Sequence, residues 1–105
     1  MSKRYVQIFF SISSDELGVV IGKQLITNHH VAVSYHFSDV KSFYSSGSLV
    51  RCEEHVLVLA KGKHTSFDST VLPHLQIVSA NDIFSLPIFD MIADYEVWID
   101  SEIVD

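Results

Sequence analysis

Hydrophobic residues recur along this chain with two different periods, one typical of strands and one typical of helices. Alternating or continuous apolar runs rich in β-branched and aromatic residues predict strands at 5–12, 31–37, 40–45, 54–61 and 83–88. Apolar residues at helical spacing predict helices at 14–28, 63–72 and 91–103. With the middle strands paired as a hairpin, the order is β-α-β-β-α-β with an added C-terminal helix. This order predicts an α+β domain of the ferredoxin-like type.

Local signals sharpen the predicted element ends. Ser13 followed three residues later by Glu16 predicts a capping box at the start of the first helix. Gly18 and Gly22 fall on nearly one face of that helix, which predicts close packing against a sheet. Ser-Asp at 38–39 predicts a turn, and 45–48 predicts a hairpin tip or a bulge. Pro73 predicts the end of the second helix, with an extended segment at 75–79. Pro87 predicts the end of the last strand.

Length and composition indicate one domain over residues 1–105. Hydrophobic residues make up 48% of the 105 residues, a supply large enough to serve a subunit interface as well as a core. The formal net charge is −6, and the few basic residues are scattered, which argues against nucleic-acid binding. One cysteine excludes an internal disulfide, and we find neither a signal-peptide pattern nor an apolar run long enough to cross a bilayer. We therefore expect a cytoplasmic protein without a membrane partner.

Candidate chemistry is sparse in this sequence. Nucleophile elbows, phosphate-binding loops and zinc-protease motifs are absent, so we expect no enzyme. Cys52 and His55, with Glu53 between them, form the densest group of metal donors, and this spacing suits copper or zinc. An ordinary surface turn explains the same residues without a metal. His29 and His30 follow the first helix, but adjacent side chains point in different directions on most backbones, which disfavours joint ligation.

Several segments resemble the CutA family of divalent-cation tolerance proteins. The closing stretch IFSLPIFDMIADYEVWID resembles the family's last strand and helix, and HVLVLAK resembles its apolar strand ending in lysine. The matching positions are Leu86, Pro87, Ile88, Tyr95, Trp98 and Lys61, with Val40, Ser42, Tyr44 and Gly47 upstream. The resemblance covers roughly residues 5–103. The order and spacing of these segments together carry the resemblance.

The sequence departs from the family pattern at three places. Ser46 stands where the family has a tryptophan before its glycine turn. Residues 76–78 replace a His-Pro-Tyr segment, and Val33 is nearest to a cysteine that some members carry. The resemblance is therefore to a divergent member.

The resemblance implies a homotrimer in which long hairpin strands continue the sheets of neighbouring subunits. It implies a non-catalytic role in divalent metal tolerance. A divalent metal ion, copper, is the one candidate cofactor. Ligand-binding residues in the clefts between subunits would be Tyr44, Lys61, Tyr95 and Trp98. The metal ligands that residue spacing predicts, independently of the resemblance, are Cys52 and His55. The alternative is a signalling trimer of the PII type that binds a small molecule.

Overall fold

The computed structural model describes residues 4–103, except for the side chain of Ser66. Four strands and the helices between them follow the predicted order, and the predicted ferredoxin-like α+β fold is confirmed. The strands are β1 (Tyr5–Ile12), β2 (Val31–Ser46), β3 (Leu49–Lys63) and β4 (Asn81–Ile88). The helices are α1 (Asp15–Thr27), α2 (His64–Ser66), a π-helical turn (Phe67–Val71), α3 (Leu72–Ile77) and α4 (Ala93–Glu102).

One antiparallel sheet carries the fold, with strand order β2-β3-β1-β4. Alternate residues of β1 enter the main core under α1, with Ile8 and Phe10 fully buried. Tyr5 points to the opposite face, where Ile99 and Ile103 from the C-terminal helix region pack with it. The sheet is therefore covered by helices on one face and only partly covered, by α4, on the other. None of the helices in residues 4–103 is long and apolar enough to traverse a bilayer.

The predicted packing role of the two helix glycines is confirmed. A Cβ atom added to Gly18 would lie 2.9 Å from the Cε1 atom of His36, and one added to Gly22 would lie 2.8 Å from the Oγ atom of Ser34. Both contacts are closer than side chains tolerate, so the glycines let α1 approach β2. The helix gives up intrinsic propensity at these positions for that approach.

Four local predictions are wrong in detail. The cap of α1 is Ser14, whose side chain accepts a hydrogen bond from the Leu17 amide, so the Ser13–Glu16 capping box does not form. Residues 38–39 are a bulge inside a continuous β2, where Asp39 has φ 56°. Pro73 lies in the first turn of α3, where its missing N–H is tolerated, so the helical region continues through 75–77. Pro87 lies within β4, which is an edge strand and can accept it.

A long two-stranded ribbon extends beyond the sheet, and we call it the arm (residues 38–46 and 49–55). β1 pairs with β3 only from Val56 to Lys63, so within residues 4–103 the arm strands pair only with each other. Gly47 forms the tip with φ 64°, which confirms the predicted hairpin tip. Phe43, Leu49 and Val50 on the arm are 68%, 59% and 78% exposed. A two-stranded ribbon with exposed apolar side chains is marginally stable in water on its own.

Asp100 anchors the C-terminal helix α4 to the start of β1. Its Oδ1 atom accepts a 2.6 Å hydrogen bond from the Tyr5 hydroxyl and lies 3.0 Å from Arg4 Nη2 and 3.5 Å from Lys63 Nζ. Burial, together with the hydrogen bond to Asp100, raises the pKa of Tyr5 to about 12.

Alkaline pH is expected to weaken this anchor. Because the pKa of Tyr5 is raised in the folded state, its contribution to stability is complete below the unfolded pKa of about 10. It is lost as the pH rises through about 12. Urea unfolding of the wild type and of Tyr5→Phe across this range measures the effect, and the wild type should lose more stability than the variant. Equal losses in both proteins would contradict the assignment to Tyr5.

Candidate functional site

One cavity lies where β1 ends beside β3 and β4. Its volume is about 620 Å³. We call it the acidic cavity, and its polar lining includes Ser11, Ser13, Glu53, Glu54, His55 and Asp82. Three acidic residues, one histidine and two serines therefore border this cavity.

A bulge in β4 places Asp82 at this cavity. The register of β1 with β4 shifts between Phe9 and Ser11, and Asp82 adopts a left-handed φ of 53°. The buried Ser11 hydroxyl lies 3.1 Å from Asp82 Oδ2 and 3.2 Å from the Asn81 carbonyl oxygen. Bulges redirect side chains and are frequent beside functional sites. Here the bulge turns one carboxylate toward the end of β1.

His55 lies between this cavity and a second one. The neighbouring cavity, of about 290 Å³, shares Ser13, Glu54 and His55 with the first and adds Asp15 and Asp39 to its lining. The Nε2 atom of His55 lies 3.3 Å from Ser42 Oγ, which holds the ring against the arm. His55 therefore borders both cavities at the base of the arm, and acidic residues line each of them.

The donor set at the arm base matches the oxygen and nitrogen ligands that divalent cations accept. Within residues 4–103, however, no three His, Cys, Asp or Glu side chains converge closely enough to hold an ion. A complete cation site at this place therefore needs ligands from another chain or a movement of the arm.

Cys52 and His55 do not face one another. Both lie on β3, and the register with β2 is regular from Val40–His55 to Phe43–Cys52. Residues three apart on a regular strand point to opposite faces. Cys52 is exposed on the side of Phe43, whereas His55 faces Ser42. One ion cannot be bound by both side chains of the same chain in this arrangement.

Three of the four predicted ligand residues meet on the partly covered face of the sheet. We call this group, which Tyr35 completes, the aromatic–lysine cluster (Tyr35, Lys61, Tyr95 and Trp98). Lys61 Nζ lies 4.4 Å from the centre of the Tyr35 ring and 3.4 Å from its hydroxyl. The rings of Tyr95 and Trp98 lie 5.6 Å apart.

The two tyrosines of the cluster are electrostatically unequal. A hydrogen bond from Tyr95, and then one from the Lys61 ammonium, lower the pKa of Tyr35. Burial, and then the hydrogen bond to Tyr35, raise the pKa of Tyr95. The Tyr95 hydroxyl is therefore the donor of the hydrogen bond between the two tyrosines, and the Tyr35 oxygen is the acceptor. This arrangement gathers hydrogen-bond donors and a positive charge beside exposed aromatic rings.

Tyr44, the fourth predicted ligand residue, lies apart from this cluster. It stands nine residues beyond Tyr35 on β2, within the arm, where its hydroxyl donates to Glu53 Oε1 at 3.2 Å. Within one chain, Tyr44 therefore contacts an acidic residue of the arm and not the aromatic–lysine cluster.

Sequence reasoning missed Tyr35, Ser11 and Asp82. The alternation along β2 could have placed Tyr35 on the same face as Lys61 once the hairpin register was known. No sequence signal marks the β4 bulge that brings Asp82 to Ser11, because it depends on the pairing of strands about 70 residues apart.

Histidines outside these sites take separate roles. His29, at φ 60°, has its Nδ1 atom 3.2 Å from the Glu102 carbonyl oxygen, whereas His30 lines a cavity beside α1. Burial lowers the pKa of His30, and the imidazoles of His74 and His29 lower it further. The two neighbouring histidines are therefore not a joint site.

No protein-family model matches this sequence, and no curated protein matches it. Solved structures, in contrast, do match, and 35 of their chains match significantly. The divalent cation tolerance protein (Cut A1) of Thermus thermophilus superposes with a TM-score of 0.83 at 18% identity, covering 95% of this chain and 99% of its own. CutA1 of Oryza sativa gives 0.84 at 15% identity, with 99% of both chains covered.

The same likeness extends to a third organism. The periplasmic divalent cation tolerance protein CutA of Archaeoglobus fulgidus gives a TM-score of 0.81 at 20% identity, covering 93% of this chain and 97% of its own. Each of the three structures is thus matched over nearly its whole length. The chain therefore has the fold of the CutA1 divalent cation tolerance proteins.

Proposed function

We propose that this protein is a self-associating, non-catalytic member of the CutA family that takes part in the response to divalent metal ions, copper among them. The observation that carries the proposal is the superposition, over nearly the full length of both chains, on proteins named for divalent cation tolerance. The acidic cavity supports it, because acidic residues and a histidine line this cavity at the base of the arm.

The unpaired strand edges of the single chain support self-association. In the part of the chain that the structure describes, β2 and β4 each leave one edge unpaired, and the arm leaves both of its edges open. Unpaired edges with apolar side chains invite pairing with another chain, and closed symmetry removes them. We propose three copies, the number that the family resemblance implies. The arm of one subunit would then bring additional side chains to the cavity of the next.

Metal ions are expected to raise the melting temperature of the full chain. A ligand that binds only the folded state adds about 2.7 kcal/mol of stability at a free concentration of one hundred times its Kd. Thermal unfolding with Cu²⁺, Zn²⁺ and Ni²⁺ measures this shift. We expect His55→Ala to reduce the Zn²⁺ shift and Cys52→Ser to leave it, since the two side chains face opposite ways.

The control for this experiment is His64→Ala, which removes an exposed histidine outside the arm. It should retain the whole shift. A melting temperature that none of the three ions changes would contradict direct metal binding by this protein.

The aromatic–lysine cluster favours a second candidate, the binding of an anionic small molecule as in PII-type signalling trimers. Lys61 provides a positive charge, and Trp98, which is 41% exposed, provides a ring face for stacking. Calorimetric titration with nucleotides and organic acids tests this candidate. Binding should weaken in Lys61→Gln, whereas the control Lys41→Gln on the arm should bind as the wild type does. A set of titrations without heat changes would count against it.

A further inference from the structure

A cavity of about 300 Å³ lies between the C-terminal end of α1 and the segment formed by the π-helical turn and α3. It is separate from the acidic cavity and from the aromatic–lysine cluster. Two imidazoles line it, those of His30 and His74, together with the polar side chains of Asn28, Ser69 and Thr70. No carboxylate or ammonium group is among its lining residues in the described part of the chain. The cavity is thus polar but uncharged when both histidines are neutral.

The π-helical turn places two hydroxyl-bearing residues, Ser69 and Thr70, at this cavity. Phe67 and Val71, at the two ends of the π-helical turn, are buried in the core. The wider turn between them places Ser69 and Thr70 beside the cavity, where their hydroxyls lie 3.3 Å apart. π-Helical turns are rare and occur frequently at functional sites.

The imidazole of His74 has an unmet hydrogen-bonding requirement. Its Nε2 atom is shielded from solvent and has no hydrogen-bond partner among the described residues. A buried polar atom without a partner costs free energy and calls for an explanation such as a bound ion or water. Coordination of a metal ion would satisfy this nitrogen.

We propose that His30 and His74 form a two-histidine site for a divalent transition-metal ion of the Zn²⁺, Ni²⁺ and Cu²⁺ group. Imidazole nitrogen is the protein ligand these ions share, and water molecules in this polar cavity would complete the shell. The proposal rests on the metal response proposed above and supplies it with a site inside one subunit. Alkaline-earth ions, which require several carboxylate oxygens, should not bind here.

Zn²⁺ is the probe for the experiment. The full chain carrying His55→Gln is titrated by calorimetry, so that the imidazole of the acidic cavity does not contribute. His30→Gln and His74→Gln in this background should each weaken Zn²⁺ binding by more than the roughly 10–100-fold that loss of an outer-shell partner produces. His64→Gln is the matched control and should bind as its parent does.

A second measurement on the wild-type chain does not depend on any variant folding. The ring-nitrogen NMR resonances of His30 and His74 should shift together when Zn²⁺ is added, and those of His64 should not. Unchanged resonances at His30 and His74 would overturn the proposal. A His55→Gln chain that no longer binds Zn²⁺, although the wild type does, would also overturn it, while leaving the proposed metal response intact.

Discussion

Glutamate in place of Val50 is expected to convert the assembled protein into monomers. Val50 lies near the tip of the arm and is 78% exposed in a single chain. If the arms of neighbouring subunits cover one another, assembly buries this side chain. A buried, unpaired carboxylate costs several kcal/mol, far more than one apolar contact contributes. The association equilibrium should therefore shift by several orders of magnitude toward free chains.

Sedimentation and light scattering measure this outcome. The wild type should sediment at a multiple of 11.8 kDa at micromolar concentration, and Val50→Glu at 11.8 kDa. Ser48→Glu, which places the same charge at the exposed tip, is the control and should remain assembled. The proposal fails if the wild type is itself a monomer, or if Val50→Glu assembles as tightly as Ser48→Glu does.

Alanine in place of Phe10 is expected to remove much of the stability of the single chain. Phe10 is fully buried among the side chains between the sheet and the helices. Truncation of a buried phenylalanine costs about 3–5 kcal/mol, because transfer free energy is lost and a void remains. Domains of this size have a total stability of about 5–15 kcal/mol. The variant should therefore unfold at a much lower urea concentration.

Phe9→Ala is the matched control for this change. Phe9 is the next residue along β1, and its ring stacks on Phe84 at 4.6 Å on the opposite face of the sheet. We expect Phe9→Ala to cost the single chain less than Phe10→Ala. Urea unfolding of both variants in the Val50→Glu background separates folding from association. Equal losses would show that the two faces of the sheet are buried alike.

Local patterns were sufficient to predict most of the fold. Apolar alternation and helical spacing predicted the strands and both long helices, because each period reflects which side of an element is buried. The close approach of α1 to the sheet also followed from Gly18 and Gly22, since only glycine leaves that space. The second helix was predicted less well, because a π-helical turn depends on how Phe67 and Val71 fit the core.

The candidate sites divide in the same way. The resemblance brought Lys61, Tyr95 and Trp98 forward from short segments, and the fold places them in one cluster with Tyr35. Cys52 and His55 are close in sequence, yet strand geometry sends them to opposite faces. Their closeness along the chain suggested a shared site. Only the regular strand geometry shows that the two side chains point apart.

The sequence by itself determined the element order, the buried face of each element and the resemblance to a family, because these depend on neighbours a few residues apart. Only the tertiary structure decided the continuous arm, the bulge that turns Asp82 toward Ser11, and the cavity shared by His30 and His74. Each of these joins residues that are distant along the chain. Their contacts depend on strand register and helix docking, which no local pattern of apolar and polar residues specifies.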